Sequence, residues 1–153
     1  CQARFPVEVS QLLAKYQIEA WQLIFEVTES NALTNVKQAQ ITLQHLQELG
    51  CQIAIDDFGT GYSNLRYIRD MTFGIIKIDR MFVQNIDSNT ENYSLVEYVI
   101  DMAHKLGIKV CVEGVETAEE LECVKSLGAD CIQGYYYGKP MPADEFESKF
   151  IRN

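Results

Sequence analysis

Apolar positions along the chain switch repeatedly between a spacing of about 2 and one of about 3.6 residues, which predicts alternating strands and helices. From Val7 to Tyr16, Val9, Leu12, Leu13 and Tyr16 share one helical face, and Trp21 to Val27 is a short strand-like run. Asn35 to Leu49 reads as an amphipathic helix with Val36, Ala39, Leu43, Leu46 and Leu49 on its apolar side, closed by Gly50. Gln52 to Asp56 is the next strand, Ser63 to Arg69 a short helix and Gly74 to Ile78 another strand. Asp87-Ser88-Asn89-Thr90 marks a surface loop. Tyr93 to Leu106 is a helix with Leu95, Val96, Val99, Met102, Ala103 and Leu106 inward, and Lys109 to Val112 a strand. Thr117 and Glu120 form a capping-box pattern that opens a helix over Ala118 to Leu127. A strand over Asp130 to Gly134 and a helix over Pro142 to Ile151 complete the series. This alternation predicts an α/β fold built from parallel βαβ units. The chain has no linker-like or low-complexity segment, so it is read as one domain or part of one.

Three joints repeat one pattern. Leu49-Gly50, Leu106-Gly107 and Leu127-Gly128 each stop a helix and are followed by an apolar strand. A polar residue waits five or six positions after the glycine, at Asp56, Glu113 and Gln133, and Glu26 and Lys77 end their own strands the same way. Five successive strands ending in polar groups put those groups on one rim of the sheet. In a β/α barrel that rim is where active sites are built. A doubly wound open sheet would use two or three loops at one switch point, so five contributing ends favour the barrel.

Composition and charge narrow the chemistry. The 153 residues are enough for one domain with a real core, and 47% apolar content is ordinary for a folded globular chain. No apolar stretch is long enough to span a bilayer. The chain begins at Cys1 rather than Met, so it is expected to be a piece of something longer: a cytoplasmic domain, with a membrane anchor elsewhere in its parent left open. A net charge of −9 argues against a nucleic-acid polymer as partner. It leaves room for a small phosphate substrate, because metal ions can supply positive charge. The five cysteines form no CxxC pair; Cys51, Cys111 and Cys131 are expected as small core residues. His45 and His104 fall on predicted helices away from the acids and are expected to be structural.

Asp56-Asp57 is the most informative step. Alternation along a regular strand cannot set two adjacent acids on one side, so the strand is expected to stop there, with both carboxylates free to hold cations. Glu26, Asp56, Asp57 and Glu113 offer carboxylate oxygens and Gln133 an amide oxygen, a hard-ligand set suited to Mg²⁺ or Mn²⁺. Two such ions could clamp the attacking water and leaving oxygen of a phosphodiester hydrolysis. Lys77 adds a positive charge near the nucleophile or phosphate, or else neutralises Asp56 or Asp57. Glu29 and Glu116, three positions past a rim acid, are expected to brace loops.

These residues resemble a known family. Phe25-Glu26-Val27-Thr28-Glu29-Ser30, Asp56-Asp57-Phe58-Gly59-Thr60-Gly61-Tyr62-Ser63, Ile76-Lys77-Ile78-Asp79-Arg80, Val112-Glu113-Gly114-Val115-Glu116-Thr117 and Gln133-Gly134-Tyr135-Tyr136 match the EAL-domain cyclic di-GMP phosphodiesterases in order and spacing. The resemblance implies a (β/α)₈ TIM-type barrel, of which residues 1–153 would be a partial domain of about five βα units, strands 4–8. It implies opening of cyclic di-GMP to linear pGpG with two Mg²⁺ or Mn²⁺ ions, by a domain that works as a homodimer. Carried over by motif, Glu26, Asp56, Asp57 and Gln133 would be metal ligands. Lys77 would touch the nucleophilic water, and Glu113 would be general base or metal-site carboxylate. Glu29 would anchor the loop from Phe58 to Ser63, Glu116 would support the metal region, and Tyr136 and Pro140 would pack a guanine. Gly138 stands where the family commonly has a serine, implying a looser loop. The Glu-Ala-Leu segment that names the family, and an Asn ligand after it, would belong to strands before Cys1, so the chain alone is expected to be inactive or nearly so. The alternatives are a catalytically degenerate EAL module that binds cyclic di-GMP or a protein partner as a sensor, and a different metal-dependent barrel. The Asp56-Asp57 pair with its Gly-Thr-Gly turn speaks against the latter.

Overall fold

The computed structural model describes residues 4–28, 36–59 and 73–151. The helix expected over 63–69, most of the loop after Phe58, and Glu29 lie outside the described residues. Helix α1 (Phe5–Tyr16) is followed by a 3-10 turn over Ala20–Gln22, then β1 (Ile24–Thr28). Next come α2 (Val36–Glu48), β2 (Gln52–Phe58), β3 (Ile75–Ile78) and a single helical turn α3 (Arg80–Val83). The chain closes with α4 (Thr90–Lys105), β4 (Lys109–Glu113), α5 (Ala118–Ser126), β5 (Cys131–Gln133) and α6 (Ala143–Phe150).

Among the described residues the five strands are all parallel, and their spatial order is their chain order, β1-β2-β3-β4-β5. A doubly wound sheet reverses that order at a switch point; a barrel does not. The order therefore decides for the barrel-type progression, and every strand end carrying a polar residue falls on the same rim. The Leu-Gly joints behave as expected: Gly50, Gly107 and Gly128 all have positive φ, of 97°, 73° and 87°, the left-handed turn that ends a helix and reverses the chain.

One face of the sheet makes the core. Ile53, Ile55, Ile76, Ile78, Val110 and Val112 are almost fully buried against Leu46, Val96, Ile100, Ala103 and Val124 of the flanking helices. Each such side chain contributes about 1.5–3 kcal/mol on burial. The helix faces differ in detail from the periodicity. In α1, Pro6, Val9 and Leu13 are buried while Leu12 and Tyr16 are exposed. In α4, Ile100 joins the core, and Leu95 and Leu106 turn outward. Trp21 belongs to the 3-10 turn rather than the strand and is exposed.

Candidate active site

Sheet register sets the polar rim. Lys77 of β3 pairs with Cys111 of β4, Cys111 pairs with Cys131 of β5, and Glu113 pairs with Gln133. Alternation puts these five on one face, opposite the helix-covered face that carries Ile76, Ile78, Val110, Val112 and Ile132. Glu26 lies on β1 and Asp56 near the end of β2, so four neighbouring strands feed one place.

The side chains meet at the Lys77 ammonium. Lys77 Nζ lies 2.7 Å from Glu26 Oε1, 2.9 Å from Glu113 Oε1 and 3.2 Å from Asp56 Oδ1. Neutralisation of Asp56 by Lys77 is thus present, with two further carboxylates added. Burial works against the ammonium, but the bonds to Glu26, Glu113 and Asp56 outweigh it and hold the Lys77 pKa above the usual lysine value. The Glu113 pKa is raised as well: burial pushes it up, Lys77 opposes this, and the nearby Asp56 and Glu26 charges reinforce it. Among the described residues, no group of three or more His, Cys, Asp or Glu is set around a metal position. The three acids are arranged about the ammonium instead.

The Asp56-Asp57 step differs from a strand that stops. β2 runs on to Phe58, and its pairing with β3 shifts register between Ile55 and Phe58. Asp57 takes a left-handed conformation, φ 55°, which an aspartate tolerates better than most residues. This bulge absorbs one extra residue, so Ile55 and Phe58 both reach the core and the two acids fall together between them. The Asp57 N–H donates to Asp56 Oδ1 at 3.1 Å, fixing that carboxylate.

The segments beyond the rim are tied by Glu116 and by the Thr117–Glu120 cap, both singled out in the sequence, and by contacts that the sequence did not reveal. Glu116 pairs with Arg80 Nη2 at 3.1 Å, joining the segment after β4 to the start of α3. Glu120 is buried: its Oε2 accepts from the Glu116 and Thr117 N–H groups at 2.8 and 3.2 Å, and its Oε1 from the Asn85 N–H at 3.1 Å. The capping box revealed its local half; the reach to Asn85 had no sequence signal. Gly134 packs so tightly that a β-carbon there would collide with the Val115 backbone. The Tyr136 N–H donates to Val115 O at 3.0 Å, fixing the turn after β5. A cavity of about 1140 Å³ beside the rim is lined by residues including Arg80, Glu116, Gln133, Tyr135 and Pro140; Tyr136 lies outside its lining. Among the cysteines, Cys51 and Cys111 are buried as expected, but Cys131, on the last strand of the sheet order, is exposed. The Cys111 thiol is pushed up to about 12, first by burial and then by the neighbouring Cys131.

Known proteins resemble this chain in sequence and in fold. The family model described as "EAL domain" matches residues 1–140. Cyclic di-GMP phosphodiesterase PdeF of Escherichia coli strain K12 is 64% identical over 142 residues, which cover 93% of this chain and 19% of that protein. The PaMucR phosphodiesterase, solved as a c-di-GMP complex, superposes with a TM-score of 0.87 at 35% identity, covering 94% of this chain and 58% of the other. The manganese/cy-diGMP complex of Klebsiella pneumoniae BlrP1 superposes at 0.81 with 34% identity, covering 88% and 35%. The chain spans about a fifth of the length of PdeF and of the Pseudomonas aeruginosa cyclic di-GMP phosphodiesterase NbdA, 19% and 18%. With the rim motifs, the sheet order and these likenesses in agreement, the chain belongs to the EAL domain family.

Proposed function

We propose that residues 1–153 form the C-terminal part of a cyclic di-GMP phosphodiesterase barrel, strands 4–8 of eight, and that a protein completing the barrel opens cyclic di-GMP to linear pGpG. One observation carries this reading: carboxylates from β1, β2 and β4 converge within 3.2 Å of a single ammonium from β3. The substrate is supported by relatives named as cyclic di-GMP phosphodiesterases and by neighbours solved with that dinucleotide.

The donor set fits Mg²⁺ or Mn²⁺. Glu26, Asp56 and Asp57 supply hard carboxylate oxygens, Gln133 an amide oxygen, and three acids of the rim already gather about a positive charge. Two ions held there would polarise the phosphodiester and acidify the attacking water. Lys77, fully charged and locked by three acceptors, would orient that water and offset charge on the phosphate. Glu113, whose pKa burial raises above that of an ordinary carboxylate and so makes it a stronger proton acceptor, would take the water proton or stand with the metal carboxylates. Water adds at one phosphorus and one phosphodiester bond breaks, which linearises the ring. Glu116, held by Arg80, would keep the adjoining loop in place, and Glu29 would do the same for the loop after β2. Tyr136 and Pro140 would pack a guanine. The completed domain would act as a homodimer, and the 153-residue chain alone would turn over little or no substrate. Among the described residues no helix is long and apolar enough to cross a membrane.

The test is chromatographic detection of pGpG from cyclic di-GMP with Mg²⁺ or Mn²⁺, using a protein that contains this chain in a complete barrel. Hydrolysis abolished by Glu113→Gln supports the assignment, and wild-type turnover in that variant removes Glu113 from the mechanism. Tight binding without hydrolysis would favour a sensor. Robust pGpG production by the 153-residue chain itself would overturn its expected inactivity.

A further inference from the structure

One layer below the Glu113–Gln133 pair, the same face of the sheet carries Cys111 on β4 and Cys131 on β5, directly paired in register. Both are free thiols. Neighbouring strands run about 4.8 Å apart. That spacing falls inside the range of about 4.4–6.8 Å over which a disulfide joins two α-carbons. Register partners on one face also send their β-carbons to the same side, which a bridge requires.

The two thiols differ in access. Cys131 is exposed and lines the 1140 Å³ cavity, whereas Cys111 is buried behind it. Cys51 is buried in the core and Cys123 sits on α5; neither has a cysteine as register partner. We infer that Cys111 and Cys131 are a redox-active dithiol, which hydrogen peroxide closes to a disulfide beneath the carboxylate rim. The Cys131 sulfur attacks peroxide, an S–O bond forms as the O–O bond breaks, and the released hydroxide leaves as water with the thiol proton. The Cys111 sulfur then attacks the Cys131 sulfenic acid; the S–S bond forms, the S–O bond breaks, and a second water leaves. Two thiols are oxidised and one peroxide is reduced to two waters. The bridge would tie β4 to β5 beside Lys77, the register partner of Cys111 on its other side. None of this depends on the hydrolytic reading of the rim.

The experiment is incubation of the full chain with hydrogen peroxide at neutral pH, alkylation of remaining thiols, and mass spectrometry of a non-reducing digest. The expected result is loss of two of the five thiols, with a Cys111–Cys131-linked peptide as the dominant product, reversed by dithiothreitol. Cys131→Ser, at an exposed position, abolishes the linkage, and Cys123→Ser leaves it intact. The inference is overturned if Cys131 goes on to sulfinic or sulfonic acid while Cys111 stays alkylatable after unfolding. It is equally overturned if the linkage joins other cysteines, or if both thiols survive.

Discussion

Lys77→Met keeps most of the side-chain length and removes the one ammonium on which Glu26, Asp56 and Glu113 converge. Each carboxylate oxygen lies 2.7–3.2 Å from Nζ. Any two of them therefore stand within about 6 Å, where like unit charges repel by roughly 3 kcal/mol at an effective dielectric of about 20. Glu26 is half-exposed, so water and salt screen its share; Asp56 and Glu113 are more enclosed and carry most of the effect. Removing one partner of a buried ion pair costs roughly 3–5 kcal/mol, and partial exposure here favours the lower end, about 3 kcal/mol at neutral pH. With a urea slope of about 2 kcal/mol per molar, the unfolding midpoint followed by circular dichroism falls by about 1.5 M. The freed acids then become a better cation site than in the wild type. Millimolar Mg²⁺ should restore part of the lost stability to the variant, up to about 2.7 kcal/mol if it reaches a hundred times its dissociation constant. A variant as stable as the wild type, or one that Mg²⁺ moves no more than it moves the wild type, would refute the reasoning.

Three further outcomes follow from single contacts. Gly134→Ala drives a β-carbon into the Val115 backbone, which cannot swing aside, so the melting temperature should drop by an amount equivalent to about 1–3 kcal/mol; an unchanged melt would contradict the packing. Glu120→Leu strips the acceptor from the Asn85, Glu116 and Thr117 N–H groups, at about 1–3 kcal/mol for each one left buried. Glu120→Gln keeps one acceptor oxygen and should lose less, so thermal melts that rank the two the other way would count against the brace. Burial favours the neutral form of Asp130, yet the Val110 N–H at 2.8 Å and His104 outweigh it and hold its pKa below the usual value. A lowered folded pKa stabilises above the unfolded value of about 3.9 and loses that contribution as pH falls through the lower folded value. The stability gap between wild type and Asp130→Asn should therefore be full near pH 6 and narrow below about pH 4; a gap that stays constant into acid would contradict this.

Much of the fold was legible because its signals are local. Leu-Gly stops at residues 50, 107 and 128 use the backbone freedom of glycine, and all three turned out left-handed. The Thr117–Glu120 capping box formed as written. The convergence of Glu26, Asp56 and Glu113 was legible too, because parallel strands in sequential order must deliver their ends to one rim. What sequence could not supply depends on partners distant in the chain. The bulge at Asp56-Asp57 exists only in the pairing of β2 with β3, so an isolated strand reading ended β2 too early. Leu12, Tyr16, Leu95 and Leu106 fit a helical stripe, but the width of a buried stripe is set by what packs on it. Cys131 reads as a core residue in an apolar run, yet its strand ends the sheet order, a tertiary position that the run itself does not reveal. The Glu120 contact with Asn85 spans 35 residues and leaves no local trace.

The central claim is that acids from separate strand ends jointly hold divalent cations. Anomalous scattering from Mn²⁺-soaked crystals of a protein containing this chain in a complete barrel tests it most directly. The account predicts manganese within about 2.0–2.6 Å of oxygens of Glu26, Asp56 and Asp57, next to Lys77. Manganese bound at other acids, with those three side chains uncoordinated, would contradict it.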